Sequence, residues 1–286
     1  MNTLFNQRAL ITGASRGLGF AVAQVFLAEG ADVMLCGRDT NSLKSAQKKL
    51  VNDFPKHRVI AQAADVSNAS QVRALVKQSL EHLGGLDIAV CNAGIYGPKG
   101  ACEEVDWNEW EQTIAINLFG VVHVCREVVP HFKKRKHGKI LILSGGGATK
   151  PMPYFSAYGA SKAAVVRFGE TLAEELREFG VDVNCVAPGA MNTKFLDEAL
   201  EAGTEKIGRA FYEQALKQKK EGGVPPERAA ALCAFLASSA SDGITGKLIS
   251  AVWDPWEKLT EHRKELSESD IYTLRRIVPQ DRGAKW

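Results

Sequence analysis

Short apolar runs alternate along this chain with longer stretches in which apolar positions return every three or four residues. The runs at 8–12, 32–36, 58–62, 88–91, 139–143, 181–186 and 247–251 have strand length and predict seven strands. Residues 18–28, 42–52, 70–83, 107–132 and 157–179 carry the helical period between them. Alternation of this kind predicts βαβ units. The expected fold is therefore α/β, a doubly wound parallel sheet of the Rossmann type with helices on both faces, in one domain.

Two regions break the alternation. Residues 193–223 are polar, helix-prone and rich in Glu and Lys, which reads either as a surface helix pair or as a mobile lid over a substrate cleft. Phe195, Leu196, Ile207, Phe211 and Tyr212 would give that segment an apolar side suited to a hydrophobic or ring substrate. The tail, 252–286, follows the main unit of residues 1–251 and holds Trp253, Trp256 and Trp286 with a charged run at 257–270. Three tryptophans in a terminal segment predict packing on this subunit's body or on a neighbour, with a place at the substrate mouth as the other reading.

Composition narrows the function classes. The 286 residues are 45% hydrophobic and 24% charged, a soluble globular balance, and the net charge of +3 is too small to argue for nucleic acid or a membrane surface. The densest basic run, residues 133–136, follows an apolar helical stretch, where cations complement the helix dipole. Six cysteines, at 36, 91, 102, 125, 185 and 233, include no C-x-x-C pair, and four of them sit in apolar runs. That pattern fits free thiols in a reducing compartment rather than a disulfide scaffold or zinc site, and the dispersed histidines give no metal spacing. A strand-like run begins at residue 8 with no signal peptide before it, and no uninterrupted apolar stretch is long enough for a bilayer. The expected location is the cytoplasm.

Candidate chemistry begins after the first strand, where Gly13-x-x-x-Gly17-x-Gly19 opens a helix. Such glycines allow a tight turn and bring backbone N–H groups to a pyrophosphate at a helix N-terminus. The second strand ends Gly37-Arg38, with glycine where an acidic residue would read a ribose 2′-OH. Arg38 and Arg16 instead suit a 2′-phosphate, so NADP(H) is preferred, while Asp39 nearby keeps NAD(H) open. Further on, Tyr158 and Lys162 stand one helical turn apart on a shared face. A cation beside a phenol lowers its pKa toward the range useful for acid–base work.

Together these residues resemble the short-chain dehydrogenase/reductase family in its shorter, single-domain form. The glycine turn, Asp65-Val66, Cys91-Asn92-Ala93-Gly94, Asn117, Tyr158/Lys162, Pro188-Gly189 and Ile244-Thr245-Gly246 match in family order across roughly residues 5–250. The resemblance implies a hydride transfer between NAD(P)(H) and a small carbonyl or alcohol substrate, with no metal. It assigns Gly13, Ser15, Arg16, Gly17, Leu18 and Gly19 to the pyrophosphate and nearby ribose, and Asp65 and Val66 to the adenine. Asn92, Ala93 and Gly94 would line the nicotinamide-side ribose, and Pro188, Gly189 and Thr193 would bracket the carboxamide. Tyr158 would exchange a proton with the substrate oxygen, Lys162 would lower its pKa and hold the ribose, and Asn117 would anchor a water leading to Lys162.

The chain departs from the family at a serine. Counting 13 positions back from Tyr158 reaches Gly145, and the nearest hydroxyl is Ser144. Either the glycines 145–147 let Ser144 swing into place, or Tyr158 and a backbone N–H suffice, with Thr149 as an outside candidate. The end of the last strand, Ala251-Val252-Trp253-Asp254, also differs from the short Asp-Gly-Gly common in the family. Two other readings stand beside the reductase. One is a sugar-nucleotide epimerase or dehydratase, which the glycine spacing disfavours. The other is a cofactor-binding regulatory or scaffold protein with weak or no catalysis. The resemblance also implies a homodimer or homotetramer, with the 107–132 and 157–179 helices as the shared face.

Overall fold

Strands form here where apolar residues are buried on both sides, as in all-parallel sheets. A computed structural model of the chain describes residues 2–286. Its strands are β1 (Arg8–Thr12), β2 (Asp32–Gly37), β3 (Val59–Ala63), β4 (Ile88–Cys91), β5 (Gly138–Leu143), β6 (Val181–Ala187) and β7 (Leu248–Ser250). All pair in parallel, in the order β3-β2-β1-β4-β5-β6-β7. Each lies within one residue of its expected ends. The fold is a doubly wound α/β sheet.

The helices are α1 (Gly17–Ala28), α2 (Thr40–Asp53), α3 (Ala69–Leu83), α4 (Trp107–Ile114), α5 (Gly120–Arg135), α6 (Ser156–Leu176), α7 (Lys194–Ile207), α8 (Arg209–Glu221), α9 (Pro226–Ala237) and α10 (Arg263–Glu268). Neighbouring strand residues point to opposite faces. Ile11, Val33 and Leu35 join the core under α1, α2 and α9, whereas Leu10, Met34 and Ile140 join the one under α3, α5 and α6. The strand order reverses between β1 and its neighbour β4. The loops leaving β1 and β4 diverge there and open a crevice at the carboxyl ends of the strands.

The expected 107–132 helix runs on to Arg135, but its middle, Ala115–Phe119, is a π-helical turn. The continuous stretch Trp107–Arg135 is long and apolar enough by composition to cross a membrane. It is not an uninterrupted apolar run, because Glu109, Glu111, Asn117, His123 and Arg126 break it, so it does not contradict the expectation drawn from the sequence. Val124, Val128 and Phe132 of this stretch are buried in the core shared with α3, so its apolar character is that of a sheet-covering helix. At its end Arg135 pairs with Asp87 at 2.6 Å, and Lys133 lies over the Phe179 ring at 4.4 Å.

Residues 193–223 fold as α7 and α8, with a break inside α7 at Gly203. The tail returns to the body of its own chain. Leu259 and Leu266 are buried in the α1–α9 core, and Trp256 packs on Phe235. Beyond them the tail runs along the open edge of the sheet, where Leu248 N donates to Tyr272 O at 2.7 Å and Leu274 N donates to Glu170 Oε1 at 2.6 Å. Trp253 and Trp286 stay exposed.

Candidate active site

The loop after β1 is shaped by what lies behind it. Gly13 has φ +65°, and a β-carbon on Gly13 would meet Asn92 and Ala93. A β-carbon on Gly19 would collide with the Gly13 carbonyl and the Asn92 amide. Asn92 is the clamp: its Nδ2 donates to Thr12 O at 2.9 Å and to Gly13 O at 3.1 Å, while its backbone N–H donates to Thr12 Oγ1 at 3.0 Å. α1 then starts at Gly17, with Arg16 before it and no side chain capping its first N–H groups. Those groups are left for an acceptor from outside the helix.

The other helices near this end of the cleft are capped. Asp39 accepts from Ser42 N at 2.8 Å and from the Ser42 hydroxyl, closing the start of α2. These bonds, with a smaller effect from Arg16, hold its carboxyl below the usual range. Asp65 Oδ1 accepts from Ser67 N at 2.9 Å and Ser67 Oγ at 2.7 Å in a local turn. Val66 packs against Gly120 and receives His123 Nδ1 at its carbonyl, 3.0 Å away.

Asn117 is fully buried inside the π turn. Its Oδ1 accepts from Ile95 N at 2.8 Å, and its Nδ2 donates to Ile95 O at 2.9 Å and to Ser161 Oγ at 3.0 Å. The wider π turn presents this amide to the loop after β4, a use such bulges often have at functional sites. Ala93 N donates to Thr12 Oγ1 at 3.1 Å, and a β-carbon on Gly94 would stand 3.2 Å from Asn117 Oδ1 and 3.6 Å from Lys162 Nζ.

Tyr158 and Lys162 occupy the first turns of α6, and both are buried. Lys162 Nζ donates to Leu143 O at 2.8 Å and lies 5.7 Å from the centre of the Tyr158 ring. Burial pulls the Lys162 ammonium down to about 8. Burial, with a lesser contribution from the Tyr96 phenol, pushes Tyr158 far above its ordinary value. The direction for Tyr158 is opposite to the one the sequence suggests. Desolvation of a phenolate outweighs a cation that is turned toward a carbonyl.

The serine question takes a definite geometric form. Gly145 sits against the Tyr158 hydroxyl, which occupies the space a β-carbon on Gly145 would need. Ser144 N donates to Val186 O at 2.8 Å, and its Oγ is buried with no hydrogen-bond partner. No bond joins Ser144 to Tyr158. On the far side, Gly189 (φ +88°) backs onto Val252 and Val224, and Thr193 stands at the N-terminus of α7.

These groups share one cleft of about 1170 Å³. Gly13, Ser15, Arg16, Gly17, Leu18, Arg38, Asp65 and Val66 line one end, and Asn92, Ala93, Gly94, Ser144, Thr149, Tyr158, Lys162, Pro188, Gly189 and Thr193 line the middle. Of the residues expected at the site, Gly19 and Asn117 do not reach the surface of the cleft; they support it from behind. The sequence reading missed Tyr96, Met152 and Glu198, which also line it, whereas Trp253 and Asp254 bring the tail to the cleft as its substrate-mouth reading allowed. Phe195, Leu196 and Phe211 face the cleft, while Ile207 and Tyr212 pack in the cluster behind. Of the three missed residues only Tyr96 carried a signal, because it follows the Asn92–Gly94 motif by two positions. Among the described residues no three His, Cys, Asp or Glu side chains gather as a metal site.

Residues 7–203 match the family model described as short chain dehydrogenase. The chain is 35% identical over 258 residues to a cyclohexanol dehydrogenase of Rhodococcus sp. (strain TK6), covering 84% of this chain and 93% of that protein. Among solved structures, levodione reductase superposes with a TM-score of 0.80 at 27% identity, over 86% of this chain and 96% of the other. A gluconate 5-dehydrogenase from Burkholderia cenocepacia J2315, solved in complex with NADP and tartrate, superposes with a TM-score of 0.76 at 26% identity, over 86% and 94%.

Proposed function

We propose that this chain, which belongs to the short-chain dehydrogenase/reductase family and is an NAD(P)-dependent oxidoreductase of alcohols and carbonyl compounds, works as an NADP(H)-dependent carbonyl reductase with Tyr158 as its proton donor. The observation that carries the reading is the placement of Tyr158 and Lys162, buried together midway along a cleft that begins at an uncapped helix N-terminus. The residues fit a dinucleotide. The glycine turn leaves room where side chains would collide, and the start of α1 offers free N–H groups.

Arg16 and Arg38 both line the adenosine end of the cleft, which supports NADP(H) over NAD(H). The Asp39 carboxylate is engaged as the cap of α2, which weakens its claim on a ribose hydroxyl. When bound, the nicotinamide supplies or accepts the hydride. The chain's own part is acid–base and positional. As carbon is reduced, negative charge grows on the substrate oxygen, and the Tyr158 phenol, which lines the cleft, would give that oxygen its proton. Lys162, fixed on the Leu143 carbonyl, places positive charge beside the phenol as it loses that proton. Asn117 and Asn92 hold the β4 loop and the glycine turn in register with them. α7 and α8 form the outer wall, in the role of a substrate lid.

A homodimer or homotetramer built through α4–α5 and α6 is part of this reading, supported by Trp107 and Phe119 lying exposed on that stretch. Cytoplasmic location is supported by six free thiols, five of them buried. The test is consumption of NADPH and of NADH with a panel of ketones, for the wild type and Tyr158→Phe. Turnover with NADPH that drops by ~10²–10⁴ in the variant supports the reading. Tight cofactor binding without turnover of any carbonyl or alcohol, or an unaffected Tyr158→Phe, overturns it.

A further inference from the structure

The wall of the cleft beside Tyr158 is aromatic, and its centre is a residue the mechanism above does not use. Tyr96 meets the Tyr158 ring edge-on at 4.7 Å between centroids, Phe195 of α7 at 4.8 Å and Phe155 at 5.2 Å. The backbone is pinned on both sides of it. Asn117 grips the N–H and C=O of Ile95 just before. Just after, Gly97 has φ +72° and runs so close to Thr113 that a β-carbon would collide with the threonine hydroxyl. Three ring contacts and a clamped loop leave Tyr96 little freedom to swing aside. Met152, Leu196 and Phe211 continue the apolar lining of the cleft around it.

On the carbonyl–alcohol reading, we propose that Tyr96 sets the substrate class: its ring is the wall along which a ring-borne carbonyl, a cyclic ketone or its secondary alcohol, lies with its oxygen toward Tyr158. A rigid ring has flat or gently puckered faces that pack on aromatic edges and faces, and it has no rotors to freeze on binding. An open-chain ketone of the same carbon number makes fewer such contacts and loses more freedom. A fixed aromatic wall therefore discriminates in favour of the ring, and the preference depends on the Tyr96 ring rather than its hydroxyl.

The test compares kcat/KM for cyclohexanone and for 2-hexanone, with NADPH, in the wild type, Tyr96→Phe, Tyr96→Leu and Tyr96→Ala. The expected wild-type preference for the ring is ~10-fold or more. Tyr96→Phe keeps it, and the aliphatic variants lose most of it, chiefly through a raised KM for cyclohexanone. Cofactor binding, followed by quenching of tryptophan fluorescence, identifies any variant that has not folded, and Tyr96→Leu stands in if the alanine variant is lost. Equal loss on both ketones, or a wild type that prefers 2-hexanone, overturns the proposal and leaves Tyr96 as a mere support for Tyr158. A wild type that turns over neither of these, nor any carbonyl in the wider panel, overturns the functional reading itself.

Discussion

The Tyr158 hydroxyl lies against the α-carbon of Gly145, in the space a β-carbon would fill. Gly145 is also the position where the family's spacing places a serine. Restoring a hydroxyl there is therefore expected to damage the site, because the added Cβ displaces the phenol. Misplacement of a reacting group by about 1 Å costs on the order of 10²-fold. Gly145→Ser should lower kcat/KM by at least ~10-fold, with Gly145→Ala equally impaired. Steady-state kinetics on the two variants decides it, and a serine variant as active as the wild type would contradict the geometry.

Ser144 presents the complementary case. Its Oγ is buried without a partner, and buried hydroxyls normally have one. A substrate oxygen in the cleft would supply it. Ser144→Ala is expected to reduce kcat by ~10²-fold if Oγ donates to that oxygen. It should leave the melting temperature unchanged, since no protein hydrogen bond is broken. Unaltered kinetics would assign substrate polarisation to Tyr158 and the glycine backbone alone.

The buried Lys162 makes activity and stability diverge at alkaline pH. Its ammonium is charged below about 8, so reductase activity should hold on the acid side and fall as pH rises through 8. Tyr158 keeps its proton over this range, because burial pushes its pKa upward. The stability sign is the reverse. Lys162 titrates near 8 when folded against a reference of 10.5, so between those values the folded state binds fewer protons. Unfolding free energy therefore gains from this group as pH rises across that window. pH-resolved denaturant melts of the wild type against Lys162→Met would reveal it: the gain should be present in the first and absent in the second.

The sheet was legible because its strands are short apolar runs between turn residues, and each appears within one residue of its expected ends. The glycine turn and the Tyr158/Lys162 pair were legible because their meaning lies in local spacing. What escaped the sequence depends on distant segments meeting. Tyr96 is unremarkable in its own stretch, and it meets Phe195, which the lid pattern singles out, only when the β4 loop and α7 converge with Phe155 packed behind them. The π turn at Asn117 escaped for another reason. The apolar period passes through it almost unbroken, and the one extra residue per turn is visible only in the backbone. The direction of the Tyr158 shift needed burial, which no local pattern reports.

On the NADP(H) reading, cofactor choice would turn on two arginines and a carboxylate already in use. Arg16 and Arg38 line the cleft at the end beside the glycine turn, and Asp39 caps α2. Arg38→Ala is expected to raise KM for NADPH by ~10-fold or more and to leave KM for NADH nearly unchanged. Asp39→Asn keeps an acceptor for the cap and should shift the ratio little. Parallel titrations with both cofactors measure the ratio. An equal loss with NADH and NADPH would remove Arg38 from any part in the discrimination.

The tail's last segment covers an edge that would otherwise be open. β7 ends the sheet, and the tail meets it through the bond from Leu248 N to Tyr272 O, while Lys247 Nζ donates to Ser269 O at 2.9 Å and Ile271 O at 3.0 Å. Glu170 fastens the same stretch from α6 through Leu274 N. An exposed strand edge templates pairing with another chain. Ending the chain after Glu268 retains Leu259 and Leu266 in the core but uncovers the edge. That truncation is expected to keep the fold, lower the melting temperature by several degrees and promote association at high protein concentration. Glu170→Ala should do the same more mildly, by loosening the segment, and should bring earlier proteolytic cleavage within residues 269–286. Light scattering and limited proteolysis of the two variants measure these effects. A truncated chain as soluble and as stable as the full one would mean that β7 needs no cover.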